Sequence, residues 1–283
     1  MDISAPAKLN LSLDILRRRE DGYHDLKMVM HSVDLADELT LERTGEEGIR
    51  VRTNLSFLPD DERNLAAVAA RRFAEATGRD AAGLSITIHK RIPVCAGMAG
   101  GSSDAAAVLR ALNRESGSPL TLTELAAVGE KVGSDVPYCV LGGTALAESR
   151  GERLTPLPPL PNCWFVLCKP GFSIATPELF SKVNCARLRC RPDTDGILRA
   201  LEKGELEGVA RRMYNVFEDV LPDRRAGEIK AIKSALVGHG ALGAVMSGSG
   251  PTVFGIFREE ADARRAWTDL KQDYAQTFLA KSV

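Results

Sequence analysis

Residues 7–15 alternate strictly. Ala7, Leu9, Leu11, Leu13 and Ile15 are apolar, and Lys8, Asn10, Ser12 and Asp14 between them are polar. Period two is the signature of a β-strand with one buried face, so Lys8 and Asn10 project together from the opposite face. A turn at Glu20-Asp21-Gly22 leads to strand candidates at 25–33, 37–43 and 48–54. Asn64 to Thr77 reads as a helix stopped by Gly78, with Leu65, Val68, Ala69 and Phe73 on its inner face. Leu84, Ile86 and Ile88 mark another strand, and Ala105 to Leu109 begin another helix. Thr121-Leu122-Thr123-Glu124 is a capping-box pattern for a helix ending near Val132-Gly133.

Pro156-Leu157-Pro158-Pro159-Leu160-Pro161 reads as a linker, because proline at this density blocks helix and internal sheet pairing. It divides the chain into 1–158 and 159–283. Beyond it come a strand at 163–168, a helix begun by Thr176-Pro177, and helical stretches near 195–202, 205–217 and 226–237. Strands at 242–246 and 252–257, a helix over 259–272 and a strand near 277–282 complete an α+β pattern.

At 283 residues and 44% hydrophobic content the chain is long enough for about two domains with substantial cores. Its formal net charge of −1 argues against a general nucleic-acid or membrane-surface binder. The start of the sequence lacks a charged-then-apolar leader, and no apolar run approaches the ~20 residues of a membrane span, which predicts a cytoplasmic protein. Cys163/Cys168 and Cys185/Cys190 form two C-x4-C pairs, but Cys163 and Cys168 bracket a strand-like segment and would point in differing directions. Reduced thiols are therefore expected over a zinc site. Cys95 lies before a helix N-terminus, where a thiol pKa can fall, so it is a candidate for oxidation or alkylation.

The candidate chemistry concentrates at Pro93-Val94-Cys95-Ala96-Gly97-Met98-Ala99-Gly100-Gly101-Ser102-Ser103. Strand, glycine loop and helix follow one another here. Glycines let backbone approach a ligand closely, and a helix start offers N–H groups and partial positive charge, so a phosphate is the natural guest. Gly101 is not followed by Lys, and Gly97, Gly100 and Gly101 are not spaced as G-x-G-x-x-G, so neither the Walker loop nor the dinucleotide fingerprint fits. Three further segments accompany the loop: Ser4-Ala5-Pro6-Ala7-Lys8-Leu9-Asn10-Leu11, Gly133-Ser134-Asp135-Val136-Pro137 and Met246-Ser247-Gly248-Ser249-Gly250-Pro251-Thr252. Taken singly they read as an edge-strand lysine, an aspartate at a helix-exit turn and a hairpin loop.

In this order the four segments resemble, over nearly the whole chain, the motif series of the GHMP kinases, named for galactokinase, homoserine kinase, mevalonate kinase and phosphomevalonate kinase. Cys95, Ala96 and Ala99 stand where many members have glycine. The resemblance implies a two-domain fold, with an N-terminal strand-rich α/β domain, a C-terminal α+β sandwich and the active site in the cleft between them. It implies phosphoryl transfer from ATP with Mg²⁺, the loop from Pro93 to Ser103 holding the phosphates and Ser102 or Ser103 offering the metal a hydroxyl. Asp135 would be the base for the incoming hydroxyl, with Lys8 stabilising charge on the transferred group. It also suggests Asn64 and Lys90 near the adenosine and Asn10 near the acceptor.

Asp21-Gly22-Tyr23-His24 and the stretch Lys169 to Phe180 resemble the branch of the family that acts on a cytidine-diphosphate-linked sugar alcohol. Tyr23 and Phe180 would then stack on the cytosine face and His24 read its edge, with Pro177 and the loop Ser247, Gly248, Ser249 and Gly250 also lining the substrate. His31, His89 and His239 read as structural. The alternatives are a homoserine- or mevalonate-type kinase, a non-catalytic nucleotide-binding protein of the same fold, and a glycine-rich RNA-binding protein, the last disfavoured by 5% aromatics. Oligomeric state has no sequence signal.

Overall fold

A computed structural model of the protein describes residues 1–45, 47–79, 83–188 and 190–283. The chain forms two compact units, neither continuous in sequence: Met1–Ala7, Ala36–Ile92 and Ala99–Gly142 in the first, Lys8–Leu35, Pro93–Met98 and Gly143–Val283 in the second. Two long strands, β1 (Asp2–Arg18) and β2 (His24–Arg43), supply residues to both. The proline segment 156–161 lies inside the second unit.

In the first unit β3 (Ile49–Thr53) is followed by α1 (Leu65–Thr77) and β4 (Leu84–His89). β4 pairs antiparallel with the Glu38–Arg43 end of β2 and parallel with β3. Asn64 caps α1 and the left-handed Gly78 ends it, as their residue types require. The buried face of α1 is Ala66, Ala67, Ala69, Ala70 and Phe73, whereas Leu65 and Val68 are only half-buried. Small residues win this face because α1 packs against α2 (Gly100–Glu115), whose Ala105, Ala106 and Ala107 are fully buried. α2 begins at Gly100 and not near Ala105, so the glycines and serines of the motif form its first turn. α3 (Leu122–Glu130) carries both arms of the Thr121–Glu124 capping box. α4 (Val136–Leu141) follows at once, which places Asp135 at a helix start as well as after a helix end.

In the second unit β5 (Thr144–Ser149) pairs antiparallel with the Leu26–His31 part of β2 and with β6 (Arg153–Pro156). The proline segment is not a free linker. Pro156 closes β6, the Leu157 N–H donates to the Thr144 carbonyl, and Leu160 is buried. β7 (Trp164–Lys169), α5 (Thr176–Lys182), α6 (Thr194–Glu202) and α7 (Leu206–Ala210) come next. The helix expected over 205–217 stops at Ala210. Tyr214–Asn215 is instead a short strand, β8, parallel to β1 at Ser12 and Leu13, and a 3-10 helix follows over Val216–Val220. After α8 (Asp223–Gly238), a second sheet of order β11-β7-β10-β9 contains β9 (Gly243–Met246), β10 (Val253–Phe257) and β11 (Gln276–Lys281). α8 packs on β9 and β10, and α9 (Glu260–Asp273) on β7 and β11.

β1 departs from the one-faced strand its alternation predicts. Its polar positions Lys8, Asn10, Ser12 and Asp14 are buried along with its apolar ones. The cost of burying polar groups is met by partners: Ser12 Oγ accepts from the Val29 N–H and Asp14 from Arg191. Cys163 and Cys168 are buried free thiols pushed up by burial to about 12 and about 11, so both are protonated and inert. Among the described residues no helix is long and apolar enough to cross a membrane.

Candidate active site

Within the second unit three motifs distant in sequence are joined by hydrogen bonds. Lys8 Nζ donates to Asn10 Oδ1 at 2.6 Å, and the Lys8 N–H to the Met98 carbonyl at 3.2 Å. The Asn10 N–H donates to Ser247 Oγ at 3.2 Å, and that hydroxyl donates to the Gly97 carbonyl at 2.9 Å. Gly97 is left-handed (φ 74°), and a side chain there would meet the Ser247 carbonyl and stand 2.9 Å from the Gly250 nitrogen. Only glycine allows the first half of the loop to lie against the Ser247–Gly250 turn. Pro93, Ala96 and Met98 are buried, Val94 is half-buried and Cys95 is exposed. Cys95 also adopts φ 52°, a left-handed conformation that favours glycine.

Tyr23 is 58% exposed, so it is not a core residue, and the Arg150 guanidinium lies 5.6 Å over its ring. His24 stacks on Phe180 at 4.9 Å, and Phe180 stands edge-on to the buried Phe217 at 5.0 Å. The structure thus pairs Phe180 with His24. Burial, helped by the charge of Arg18, lowers the His24 pKa. Pro177 lies in the first turn of α5, where Thr176 Oγ1 meets Ser249 Oγ at 2.8 Å.

Within the first unit, the first intrahelical bond of α2 runs from the Ser103 N–H to the carbonyl of left-handed Ala99. The N–H groups of Gly100, Gly101 and Ser102 therefore precede the helical ladder, the arrangement that receives anions. Ala99 supplies no side-chain cap. Ser103 is buried and its Oγ donates to the Pro6 carbonyl at 2.6 Å, whereas Ser102 is half-buried. Asn64 uses its side chain to cap α1 and to donate to the Pro59 carbonyl at 2.8 Å. Asp135 is half-buried at the start of α4 and does not cap that helix.

Lys90 is not a solvated strand end. Its ammonium, 4% exposed, is paired with Asp37 and with Asp104 Oδ2 at 2.6 Å, and Asp37 Oδ1 also accepts the Arg91 and Ile92 N–H groups at 2.6 and 2.8 Å. Burial pushes the Asp104 carboxyl up to about 7, with the Lys90 charge opposing, and its buried Oδ1 has no hydrogen-bond partner among the described residues. The ammonium lies under the first turn of α2, 3.3 Å from where a Gly100 side chain would begin. No local pattern marks Asp37 or Asp104 as partners of Lys90: Asp37 stands in a mixed stretch beside Asp34 and Glu38.

Among the described residues no group of three His, Cys, Asp or Glu side chains could cage a metal. The Ser103 hydroxyl is committed to Pro6, and Ser102 is the half-buried one of the two serines in the α2 first turn. This donor set fits Mg²⁺ delivered on nucleotide phosphates, since that ion keeps water and phosphate ligands.

Comparison with known proteins gives the arrangement its family. The GHMP kinases N terminal domain matches residues 64–143 and the GHMP kinases C terminal domain residues 197–276. A 4-diphosphocytidyl-2-C-methyl-D-erythritol kinase of Alkaliphilus metalliredigens is 44% identical over 282 residues, covering 100% of this chain and 96% of the relative. A crystal structure of 4-(cytidine 5'-diphospho)-2C-methyl-D-erythritol kinase superposes with a TM-score of 0.83 at 35% identity, covering 99% of this chain and 98% of that one. A homoserine kinase from Cytophaga hutchinsonii shares the fold, with a TM-score of 0.77 at 20% identity over 100% of this chain and 94% of its own. The chain belongs to the GHMP kinase family and, within it, groups with the 4-diphosphocytidyl-2-C-methyl-D-erythritol kinases.

Proposed function

We propose that this protein transfers the γ-phosphoryl group of ATP to the 2-hydroxyl of 4-diphosphocytidyl-2-C-methyl-D-erythritol, a step of non-mevalonate isoprenoid precursor synthesis. The observation that carries this reading is the likeness at 44% identity over 282 residues, 100% of this chain, and the Asp21 to His24 segment fits the same reading. The homoserine- and mevalonate-type alternatives have no use for that segment. The two matched segments fall on either side of residue 158, which supports a functional division there.

Phosphoryl transfer needs the attacking oxygen held in line and charge on the transferred group stabilised. The α2 first turn and the preceding loop hold the ATP phosphates. Mg²⁺ on those phosphates supplies charge neutralisation. Asp135 accepts the proton of the 2-hydroxyl, Lys8 stabilises negative charge on the phosphoryl oxygens, and Asn10 orients the acceptor while holding the Lys8 ammonium. Tyr23 and Phe180 stack on the cytosine, and the His24 ring, packed on Phe180, reads its edge.

Offered Mg-ATP with 4-diphosphocytidyl-2-C-methyl-D-erythritol, mevalonate, homoserine or galactose, the enzyme should release ADP rapidly with the first alone. Comparable turnover of mevalonate or homoserine would refute the assignment. Asp135→Asn should lower kcat by roughly 10²–10⁴ with ATP affinity unchanged. Retention of half of kcat would make Asp135 an orienting group.

A further inference from the structure

Asn215 has no role in the chemistry above, yet its buried side chain makes three hydrogen bonds. It sits on β8, 1% exposed, in register with Leu13 of β1. Its two amide N–H bonds go to successive parts of one loop, the Met246 carbonyl at 2.7 Å and the Gly248 carbonyl at 2.8 Å. Its Oδ1 accepts the Phe217 N–H at 3.0 Å, starting the 3-10 helix. That helix in turn presents Glu218, whose Oε1 accepts the Met246 N–H at 2.8 Å and whose Oε2 pairs with Lys233 at 2.5 Å. Met246 is thus held at both its N–H and its carbonyl.

From there the loop reaches the proposed chemistry through bonds already described, from Ser247 to Asn10 and Gly97 and from Asn10 to Lys8. Gly248 has no slack. It is left-handed at φ 56°, and a side chain would meet the Gly97 carbonyl at 3.0 Å and Asn10 Oδ1 at 3.3 Å.

We propose that Asn215 is a positioning residue for phosphoryl transfer. With Glu218 it fixes the Met246–Gly248 backbone, so that Ser247 holds the Asn10 strand segment and, through it, the Lys8 ammonium in register with the acceptor. The proposal rests on the functional reading above. It concerns the acceptor side: the bond chain ends on Asn10 and Lys8 and touches the phosphate loop at Gly97 only, while the α2 first turn lies outside it, so ATP binding should change little. No local pattern marks Asn215, which lies in a stretch that reads as helix.

The experiment measures kcat, KM for the cytidine-linked alcohol and Kd for a non-hydrolysable ATP analogue in wild type and Asn215→Asp. Asp keeps the shape but turns a carboxylate oxygen onto two carbonyls. The expected result is a kcat lower by about ten- to a hundredfold with analogue Kd within about threefold of wild type. Glu218 gives a second arm, which also serves if Asn215→Asp does not fold. Glu218→Gln retains an acceptor for the Met246 N–H and should keep at least half of kcat, whereas Glu218→Ala should lose tenfold. Folded Asn215→Asp with kcat within twofold of wild type overturns the proposal. So does an equal loss of ATP binding, which would mark a general structural lesion, or equal activity of the two Glu218 variants. A wild-type enzyme inert toward the cytidine-linked alcohol, but active on another acceptor, refutes the functional reading and the acceptor-side role together.

Discussion

Replacing Lys90 with methionine tests whether this lysine serves the fold or the nucleotide. The substitution keeps most of the apolar stem and removes one cation from between two carboxylates that are 0% and 6% exposed. Asp37 retains the N–H groups of Arg91 and Ile92, but Asp104 loses the Lys90 ammonium, and its buried Oδ1 has no hydrogen-bond partner among the described residues. Removing one member of a buried ion pair costs about 3–5 kcal/mol, because a charge is left without compensation. That is a folding constant lower by roughly 10²–10⁴, and a large share of a typical 5–15 kcal/mol stability. Urea titration at pH 8 followed by circular dichroism should show this loss at unchanged m. Because the carboxylates create the penalty, it should shrink at pH 5, where burial already favours protonated Asp104. Adding Asp104→Asn should recover much of it. If Lys90→Met instead costs under about 1 kcal/mol while ATP-analogue affinity falls tenfold, the buried-triad reasoning is wrong and Lys90 is a ligand contact.

Three further outcomes follow from particular contacts. His31, locked between Thr144 and Ser282, is held by burial at about 4 against an ordinary 6.5, so between those values the unfolded chain takes up a proton that the folded protein refuses. Stability should therefore fall as pH drops from 6.5 toward 4, by up to about 3 kcal/mol from this group, and urea midpoints for His31→Gln should lose that part of the slope; an unaltered slope would refute it. Gly97→Ala should cut kcat/KM at least tenfold by pushing the loop from Ser247 and Gly250, while Gly204→Ala, also left-handed but with open space, should cost only about 1 kcal/mol of stability and no activity. Tyr23→Ala should weaken the cytidine-linked substrate by about 5–150-fold, from ~1–3 kcal/mol of stacking, and leave stability within about 0.5 kcal/mol because the ring is exposed; calorimetry and thermal melts read the two separately.

The elements that follow from short-range physics were legible in the chain. Alternation marked β1 and β4, the Asn64 and Gly78 caps bounded α1, Thr121 and Glu124 announced α3, and the glycine–serine run marked an anion-ready turn. Motif order along the chain sufficed for the family, since each motif keeps its residue types locally. What the sequence could not settle depends on partners far away. β8 is two residues long and exists because β1 offers it a parallel edge, so no local propensity could announce it. β1 appeared one-faced because alternation reports polarity and not burial, and its polar side was buried only because neighbouring elements bring Ser247, Arg191 and Val29 to satisfy it. Lys90 became a buried cation through Asp37, 53 positions away, and Asp104, 14 away. Asn215 gained its grip on Met246 and Gly248 in the same manner. Local residue types chose the strands, turns and helix starts, because backbone sterics and capping act within a few residues. Tertiary structure alone decided which polar side chains are buried, because their desolvation is tolerated only where the folded chain supplies a partner.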